Sequence, residues 1–334
     1  MKIRFYVGID ISDETLDVCV LDRTEVVLEC QIKNKKKALA GLFKRLQGLE
    51  VTKSNTWFCA EHTGLYGLTL RQAIETYGFI YSMVPAIEII RSSGLTRGKS
   101  DKVDAQRIAV YARRFKDKLR PSKLPLKYLG DLKELYTYRK QLVKKNSASK
   151  NFIKRLKKVW DSASNRFIIK AVKKELRDRE KVIVALERQM TELIESVPKA
   201  AINYGLAKSV LGIGSITACY LLICTENFTL FNDVRKFASY SGLAPFEHSS
   251  GKSIKGKTRT SKYRNKDIKT LLHNGLNSVI SRENEFNRYY KRKLEEGKHK
   301  NSVKNAVAFK MVARVFASVK RKTPYVSTYA TNFN

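Results

Sequence analysis

Residues 3–33 read IRFYVGIDISDETLDVCVLDRTEVVLECQIK. Three runs within them, 3–12, 15–22 and 26–33, are β-branched, aromatic and alternating, with short polar turns between. They predict three consecutive strands of an antiparallel meander. Downstream, residues 36–48 carry Leu39, Leu42, Phe43 and Leu46 at helical spacing, and Gly48 closes the pattern. A strand is expected at 55–61 (NTWFCAE), a helix near 66–77, and a strand at 79–84 ahead of Pro85. Three antiparallel strands followed by alternating helix and strand make a mixed sheet covered by helices. That order fits a ribonuclease H-like α/β domain.

From Ser100 the pattern turns helical. Ser100 reads as the cap of a helix carrying Val103, Ile108, Val110, Tyr111 and Ala112. Pro121 and Pro125 mark a break. Residues 127–160 and 166–196 then predict two long amphipathic helices, paired as an antiparallel hairpin or coiled coil. Pro198 opens a third region. There, 206–222 (LAKSVLGIGSITACYLL) reads as helix, Gly-x-Gly turn, helix, and the remainder is mostly helical with a basic loop at 251–266. The expected segments are 1–120, 121–198 and 199–334.

The 334 residues hold 66 Lys and Arg against 31 Asp and Glu, a net charge of +35. With 43% hydrophobic and 10% aromatic residues, the composition is that of a globular protein and excludes wholesale disorder. The excess is uneven: fourteen basic residues against eleven acidic in 1–100, twenty-eight against twelve in 101–200, and twenty-four against eight in 201–334. Such an excess repels itself unless a polyanion is bound, and nucleic acid is the obvious one. A merely solvated lysine-rich surface would not explain why acids are so sparse in the last segment. No apolar run approaches the ~20 residues that cross a bilayer, and MKIRFYVGIDIS lacks a signal-peptide pattern. The five cysteines are odd in number, lie among apolar neighbours and form no CxxC pair, which predicts buried reduced thiols and a cytoplasmic setting.

Four acids stand out. Asp10 falls near the end of the first strand in VGIDIS, and Glu61 ends WFCAE. Asp101 and Asp104 are three apart in KSDKVDAQRIA and so share a helix face. Singly, each has a plain reading: an Asp after a strand is usually a turn residue, and an acid in a first helical turn answers the helix dipole. Together they predict a cluster whose mutual repulsion calls for divalent cations. Two Mg2+ ions there would stabilise the attacking and leaving oxygens of a phosphoryl transfer. Asp13, Asp17 and Asp22 read as turn or solvent-face residues.

These blocks, VGIDISDETLDVCVLD, AEHTGLYG, KSDKVDAQRIAVYA, LGIGSITA and SGLAPFEHSSG, resemble in order those of the DEDD-type insertion-sequence transposases. That family comprises bridge-RNA-guided serine recombinases related to the Piv-type DNA invertases. The resemblance spans nearly the whole chain, with the helical middle matching in pattern more than in residues. It implies a RuvC-like N-terminal domain, a coiled coil and a C-terminal transposase domain with a catalytic serine. Its four acids fall on Asp10, Glu61, Asp101 and Asp104. Its serine falls on Ser250, with Ser249 adjacent, and its usual Gly-Asn is Arg264-Asn265 here. It further implies Mg2+, replaceable by Mn2+, donor and target DNA, and a structured bridge RNA. The protein would be a homo-oligomer, dimeric or tetrameric, in the bacterial cytoplasm and nucleoid-associated when bound. One protomer's acids would meet another's serine.

The C-terminal motifs also have a physical reading. Gly212 and Gly214 would let the backbone approach a phosphate at the start of the next helix, or would serve only a tight turn between packed helices. Between 252 and 266 there are seven cations and no acid, among them Lys252, Lys255, Lys257, Arg259, Lys262 and Arg264. Such a stretch beside Ser250 would contact nucleic acid and stabilise a developing phosphorane. In 286–300, Tyr289 and Tyr290 interleave with Arg288, Lys291, Arg292 and Lys293, which suits phosphate contact and base stacking, or a core-facing helix. The rival functions are a RuvC-like nuclease or junction resolvase using water, and a non-catalytic RNA- or DNA-binding protein.

Overall fold

The meander expected at 3–33 is present in the computed structural model, which describes residues 3–62, 64, 66–92, 94, 101–159, 161–250 and 254–327. Strands β1 (Phe5–Ile11), β2 (Thr15–Asp22) and β3 (Glu25–Lys33) pair antiparallel. After α1 (Lys36–Gln47), β4 (Thr56–Glu61) returns to lie parallel to β1. Then come α2 (Leu68–Thr76), β5 (Ile80–Val84) parallel to β4, α3 (Ala86–Ser92) and α4 (Asp101–Arg114). The sheet order is β3-β2-β1-β4-β5, the mixed ribonuclease H-like sheet. Ser100, read as a cap for α4, lies outside the described residues. Helix α3 was not anticipated, because Pro85 was read only as the end of a strand; Pro is equally suited to precede a helix.

Strand alternation builds two cores, one on each face. Phe5, Val7, Ile9, Leu16, Val18 and Val20 pack with Leu39, Leu42 and Phe43 of α1 on one side. Tyr6, Cys19 and Leu21 pack with Ala105, Ile108, Ala109 and Ala112 of α4 on the other. Gly8 permits the second layer. A Cβ there would stand 2.3 Å from both the Ala105 carbonyl oxygen and the Ala109 nitrogen, so α4 lies directly on the backbone of β1.

The chain divides into two units, Met1–Leu124 and Pro125–Asn334. The second begins with two 33-residue helices, α5 (Lys127–Val159) and α6 (Ala163–Glu195), each about 50 Å long at 1.5 Å per residue. They run antiparallel, tied by Arg139–Glu187 at 2.6 Å near the base and Lys150–Glu180 at 3.4 Å further out. Ser162 caps α6 by accepting from the Asn165 N–H. Midway lies a polar layer. The Arg179 guanidinium donates to Asn146 Oδ1 and Ser149 Oγ, both at 2.8 Å, and Asn146 is buried.

The remaining helices are α7 (Pro198–Lys208), α8 (Ser215–Cys224), α9 (Val234–Ser241), α10 (Lys266–Ile280), α11 (Glu285–Glu295) and α12 (Lys300–Arg321). With Leu129, Leu132, Tyr136, Met190 and Ile194 from the hairpin base, they form one hydrophobic core. The basic stretch read as a loop is partly strand: β6 (Pro245–Ser250) and β7 (Ile254–Thr260) form an antiparallel hairpin. Its sequence, IKGKTRT, shows no apolar alternation, so only backbone pairing betrays it. All five cysteines are free, four of them buried. Among the described residues, no helix is long and apolar enough to cross a membrane.

Candidate active site

Asp10 follows Tyr6 and Gly8 in the file of β1 residues that faces α4. Glu61, the last residue of β4, occupies the same face, since Cys59 packs in the α4 core whereas Phe58 and Ala60 pack in the other. Ile9 pairs with Ala60 in the parallel β1–β4 ladder, so Asp10 and Glu61 are neighbours at the carboxyl ends of the two strands. Asp101 and Asp104 sit in the first turn of α4. The close packing of α4 on Gly8 brings that turn over the same rim.

The electrostatics register burial and the nearness of the other acids at Asp10. The Asp10 carboxyl is pushed up to about 6, first by burial and then by Asp104, Asp101 and Glu61, against a backbone hydrogen bond from Ile11. Asp104 is half-buried and accepts from Arg107 Nη1 at 2.7 Å. Asp101 is exposed, and its neighbour Lys102 reaches Glu29 of β3 at 2.7 Å, fastening the start of α4 to the sheet.

This donor set is the kind a hard divalent cation takes: oxygen ligands carrying more negative charge than they can tolerate together. Asp10, held toward its neutral form by burial and by the three other carboxylates, fits that requirement. The ligands are nevertheless not gathered: among the described residues, no three Asp, Glu, His or Cys side chains lie close enough to hold a metal ion.

One acid of this rim was misread from sequence. Asp17 lies directly opposite Asp10 in the β1–β2 pair and is only 8% exposed. Gln31 Nε2 donates to both of its oxygens, at 3.2 and 3.1 Å. The available signal was parity, because Asp17 alternates with Cys19 and Leu21, which α4 covers.

In the second unit, Ser250 ends β6 with its backbone opposite Ile254, and Ser249 is opposite Lys255. The side chains of Ser249, Ser250, Lys255 and Lys257, and the whole of Lys252, lie outside the described residues. Arg259 and Lys262 are exposed. Arg264 is half-buried, donates to the Ser261 carbonyl at 2.8 Å and lies against Gly242. Gly242 closes α9 at φ +69°, and a Cβ there would stand 2.2 Å from Arg264 Cδ. Asn265 caps α10 by accepting from the Asp267 and Ile268 N–H groups, and donates to Tyr240 Oη at 2.7 Å. Lys269 donates to the Gly242 carbonyl at 2.8 Å; burial, and then Arg264, hold it below the usual lysine range.

The two glycines of the Gly-x-Gly turn differ. Gly212, at φ +82°, is packed against Val279, Met311 and the Gly275 carbonyl, a contact that leaves no room for a methyl group on either glycine. Gly214, the N-cap of α8, borders open space, with the first N–H groups of α8 behind it and no side-chain cap. Tyr289 is half-buried beside Arg292 and Lys310, 5.6 and 4.5 Å from its ring centroid.

A mixed β3-β2-β1-β4-β5 sheet with acids on two adjacent strand ends and an overlying helix defines a ribonuclease H-like α/β unit, here followed by a basic, mostly helical one. Residues 7–160 match a family profile for DEDD transposases of the IS110 type, described as Transposase, and residues 204–291 match one described as Transposase IS116/IS110/IS902 family. The chain belongs to the IS110-type DEDD transposases, a family of DNA recombination enzymes. It is 25% identical over 330 residues to the pilin gene-inverting proteins of Moraxella lacunata and Moraxella bovis, covering 96% of this chain and 98% of each relative. It is also 29% identical over 143 residues to an uncharacterized 43.6 kDa protein of insertion element IS110 from Streptomyces coelicolor, covering 43% of this chain and 34% of that one. Among solved structures, T. thermophilus RuvC in complex with a Holliday junction substrate matches with a TM-score of 0.28 at 12% identity, covering 35% of this chain and 99% of that one.

Proposed function

We propose that this transposase cuts and rejoins DNA through a covalent serine–DNA intermediate, with Ser250 as nucleophile. In this reading residues 1–120 carry the acids, 121–198 the coiled coil and 199–334 the serine. Asp10, Glu61, Asp101 and Asp104 would hold two Mg2+ ions. When bound, the ions would supply charge stabilisation to the oxygens of the reacting phosphate. The observation that supports the reading is the placement of Asp10 and Glu61 on neighbouring strand ends with α4, whose first turn carries Asp101 and Asp104, packed on the backbone of β1.

In the chemical step the Ser250 hydroxyl attacks phosphorus. A serine–phosphate bond forms, the bond to the leaving deoxyribose oxygen breaks, and the serine proton ends on that oxygen. Attack by a DNA hydroxyl reverses the exchange, so strands rejoin without an external energy source. The cations at Arg259, Lys262 and Arg264, with Lys252, Lys255 and Lys257, stabilise the phosphorane charge and hold the DNA strands. Gly214 offers helix N–H groups to a phosphate, and Gly212 holds the turn against α10. A structured bridge RNA selects donor and target, and the working form is a dimer or tetramer in the cytoplasm.

Denaturing electrophoresis of end-labelled DNA with wild type, Ser250→Ala and Ser249→Ala tests the chemistry. Wild type should give protein-linked DNA, Ser250→Ala should lose both adduct and recombinant, and Ser249→Ala should be milder. Free cleaved ends without any adduct would transfer the assignment to a nuclease using water. Sequencing of nucleic acid co-purified from the native host tests the guide: a discrete structured RNA matching DNA beside the gene supports it, and random fragments refute it.

A further inference from the structure

The α5–α6 hairpin is divided electrostatically along its length. Its inner half, 127–143 with 183–195, holds five Lys and Arg and five Asp and Glu. Its outer half, 144–182, holds fourteen Lys and Arg against four acids. Packing divides at the same place. Leu129, Leu132, Tyr136, Met190 and Ile194 join the core of the second unit, whereas beyond the Asn146–Arg179 layer Leu176 alone is buried among the described residues. The outer half is therefore an arm carrying an excess of ten positive charges on two helices whose apolar residues are mostly only half-buried.

The four acids do not relieve that charge at large. Each is matched to one neighbour: Asp161 to Arg166, Glu175 to Arg179, Asp178 to Lys181 and Glu180 to Lys150. The other ten cations have no ion pair among the described residues. They recur about once per turn, at 154 and 157 or 158 on α5 and at 170, 173 or 174 and 177 on α6, which lines them up along each helix. The two rows meet at a groove of about 710 Å3, with Lys157 of α5 facing Lys170, Lys173 and Arg177 of α6. The groove also holds Asp161 and Glu180, but these are matched to Arg166 and Lys150, which leaves Lys157, Lys170, Lys173 and Arg177 without an ion pair among the described residues. Such a surplus of cations is complementary to a linear polyanion.

We propose that the outer half of this hairpin grips the phosphate backbone of duplex DNA without reading its bases. Eight of the arm's ten unpaired cations are Lys, compact point charges on flexible stems, and of its three Asn side chains Asn146 is buried against Arg179, the pattern of a contact that positions but does not specify. The inference rests on the family's action on DNA and is independent of the nucleophile and the metal.

The test is binding of the full-length protein to a 30-base-pair DNA duplex of arbitrary sequence, titrated with salt. The variant carries Lys154→Gln, Lys157→Gln, Lys170→Gln, Lys173→Gln and Arg177→Gln, all to a good helix former. Affinity should drop at least tenfold, with a slope in log salt shallower by about 3 to 4, since each lost phosphate contact removes ~0.9. A control with five Lys→Gln changes in the first unit, at Lys35, Lys36, Lys37, Lys53 and Lys116, should stay within twofold of wild type. Acetylation of wild-type lysines with and without the duplex gives a readout that needs no variant: Lys154, Lys157, Lys170 and Lys173 should be protected. Equal losses in variant and control, absent protection, or loss of binding to an RNA duplex but not to the DNA duplex, would overturn the proposal.

Discussion

The two units handle like charge in opposite ways. In Met1–Leu124 the net charge is only +8, yet burial and the nearby Asp104, Asp101 and Glu61 raise the Asp10 carboxyl where β1 and β4 end beneath α4. In Pro125–Asn334 the net charge is +27, and the cations are strung out along the hairpin arm and the β6–β7 hairpin. Crowding requires a rigid frame, because repulsion in a partly buried setting is large and only tight packing resists it. Spreading requires length instead, and long exposed helices provide it cheaply. Crowded acids and spread cations thus make different structural demands, and this chain meets them in different folds.

Removing one crowded acid is the strongest way to probe that contrast. Asp10→Asn should lower Mg2+-supported strand cleavage about 10³-fold or more, a loss comparable to that of a principal electrostatic catalyst. DNA affinity should stay within twofold, and the thermal midpoint should not fall, because a repelled carboxylate has been neutralised. Full cleavage by Asp10→Asn, Glu61→Gln and Asp104→Asn would mean that the crowding serves no chemistry.

Separating the units should have the next largest effect. A fragment comprising 1–124, which contains both cores of the α/β unit, should bind DNA about 10²-fold more weakly than the full chain at moderate salt, with a shallower salt slope. Matching affinities and slopes would mean that the cations of the second unit do not supply the binding surface.

Gly8→Ala probes the frame itself. The added methyl meets backbone rather than a flexible side-chain end, so α4 must move outward. Stability of the first unit should fall by about 1–3 kcal/mol. In urea, an unfolding transition of the first unit should shift while binding by the second is preserved. An unshifted transition would mean that α4 does not rest on β1 as tightly as the geometry requires.

The smallest effect concerns a single well-partnered acid in the basic unit. Burial tends to raise the Glu285 carboxyl, but hydrogen bonds from Arg314 at 2.9 Å and Tyr325 at 2.6 Å outweigh it and hold it below the usual range. A depressed carboxylate stabilises the fold above its unfolded value of ~4.3 and stops doing so as pH falls through the folded one. Glu285→Gln should therefore lower the thermal midpoint by about 2–4 °C at pH 7 and by less at pH 3. A pH-independent difference would assign the effect to packing rather than charge.

The first unit was largely legible in sequence, because its strands alternate and its helices show apolar stripes. β2 was read as 15–22 and is Thr15–Asp22. The placement of the four acids near two strand ends and at one helix start was legible for the same reason, since those are local features. Asp17 was misread because TLDVCVLD cannot announce that both of its faces are covered. The covering helix begins at Asp101, far along the chain. The pairing of Asp104 with Arg107 depends on which rotamers the packed helix allows, and no spacing rule settles that. Gly212 could have belonged to a phosphate or to a helix contact. Its neighbour Gly275, which decides the matter, is sixty-three residues away. The β6–β7 hairpin was missed because its residues are polar on both faces.

The Asn146–Arg179 layer has a consequence for how such arms diverge. Two helices joined mostly by half-buried apolar residues can slide past one another by a heptad with little penalty, but a buried amide bonded to a single guanidinium permits one alignment. A slip of seven residues would displace the tip by about 10 Å, roughly three base-pair steps of a duplex. The polar layer acts as a detent. With it in place, length can be added or removed beyond it in matched seven-residue steps on α5 and α6, changing the reach of the arm while the alignment at its base stays the same.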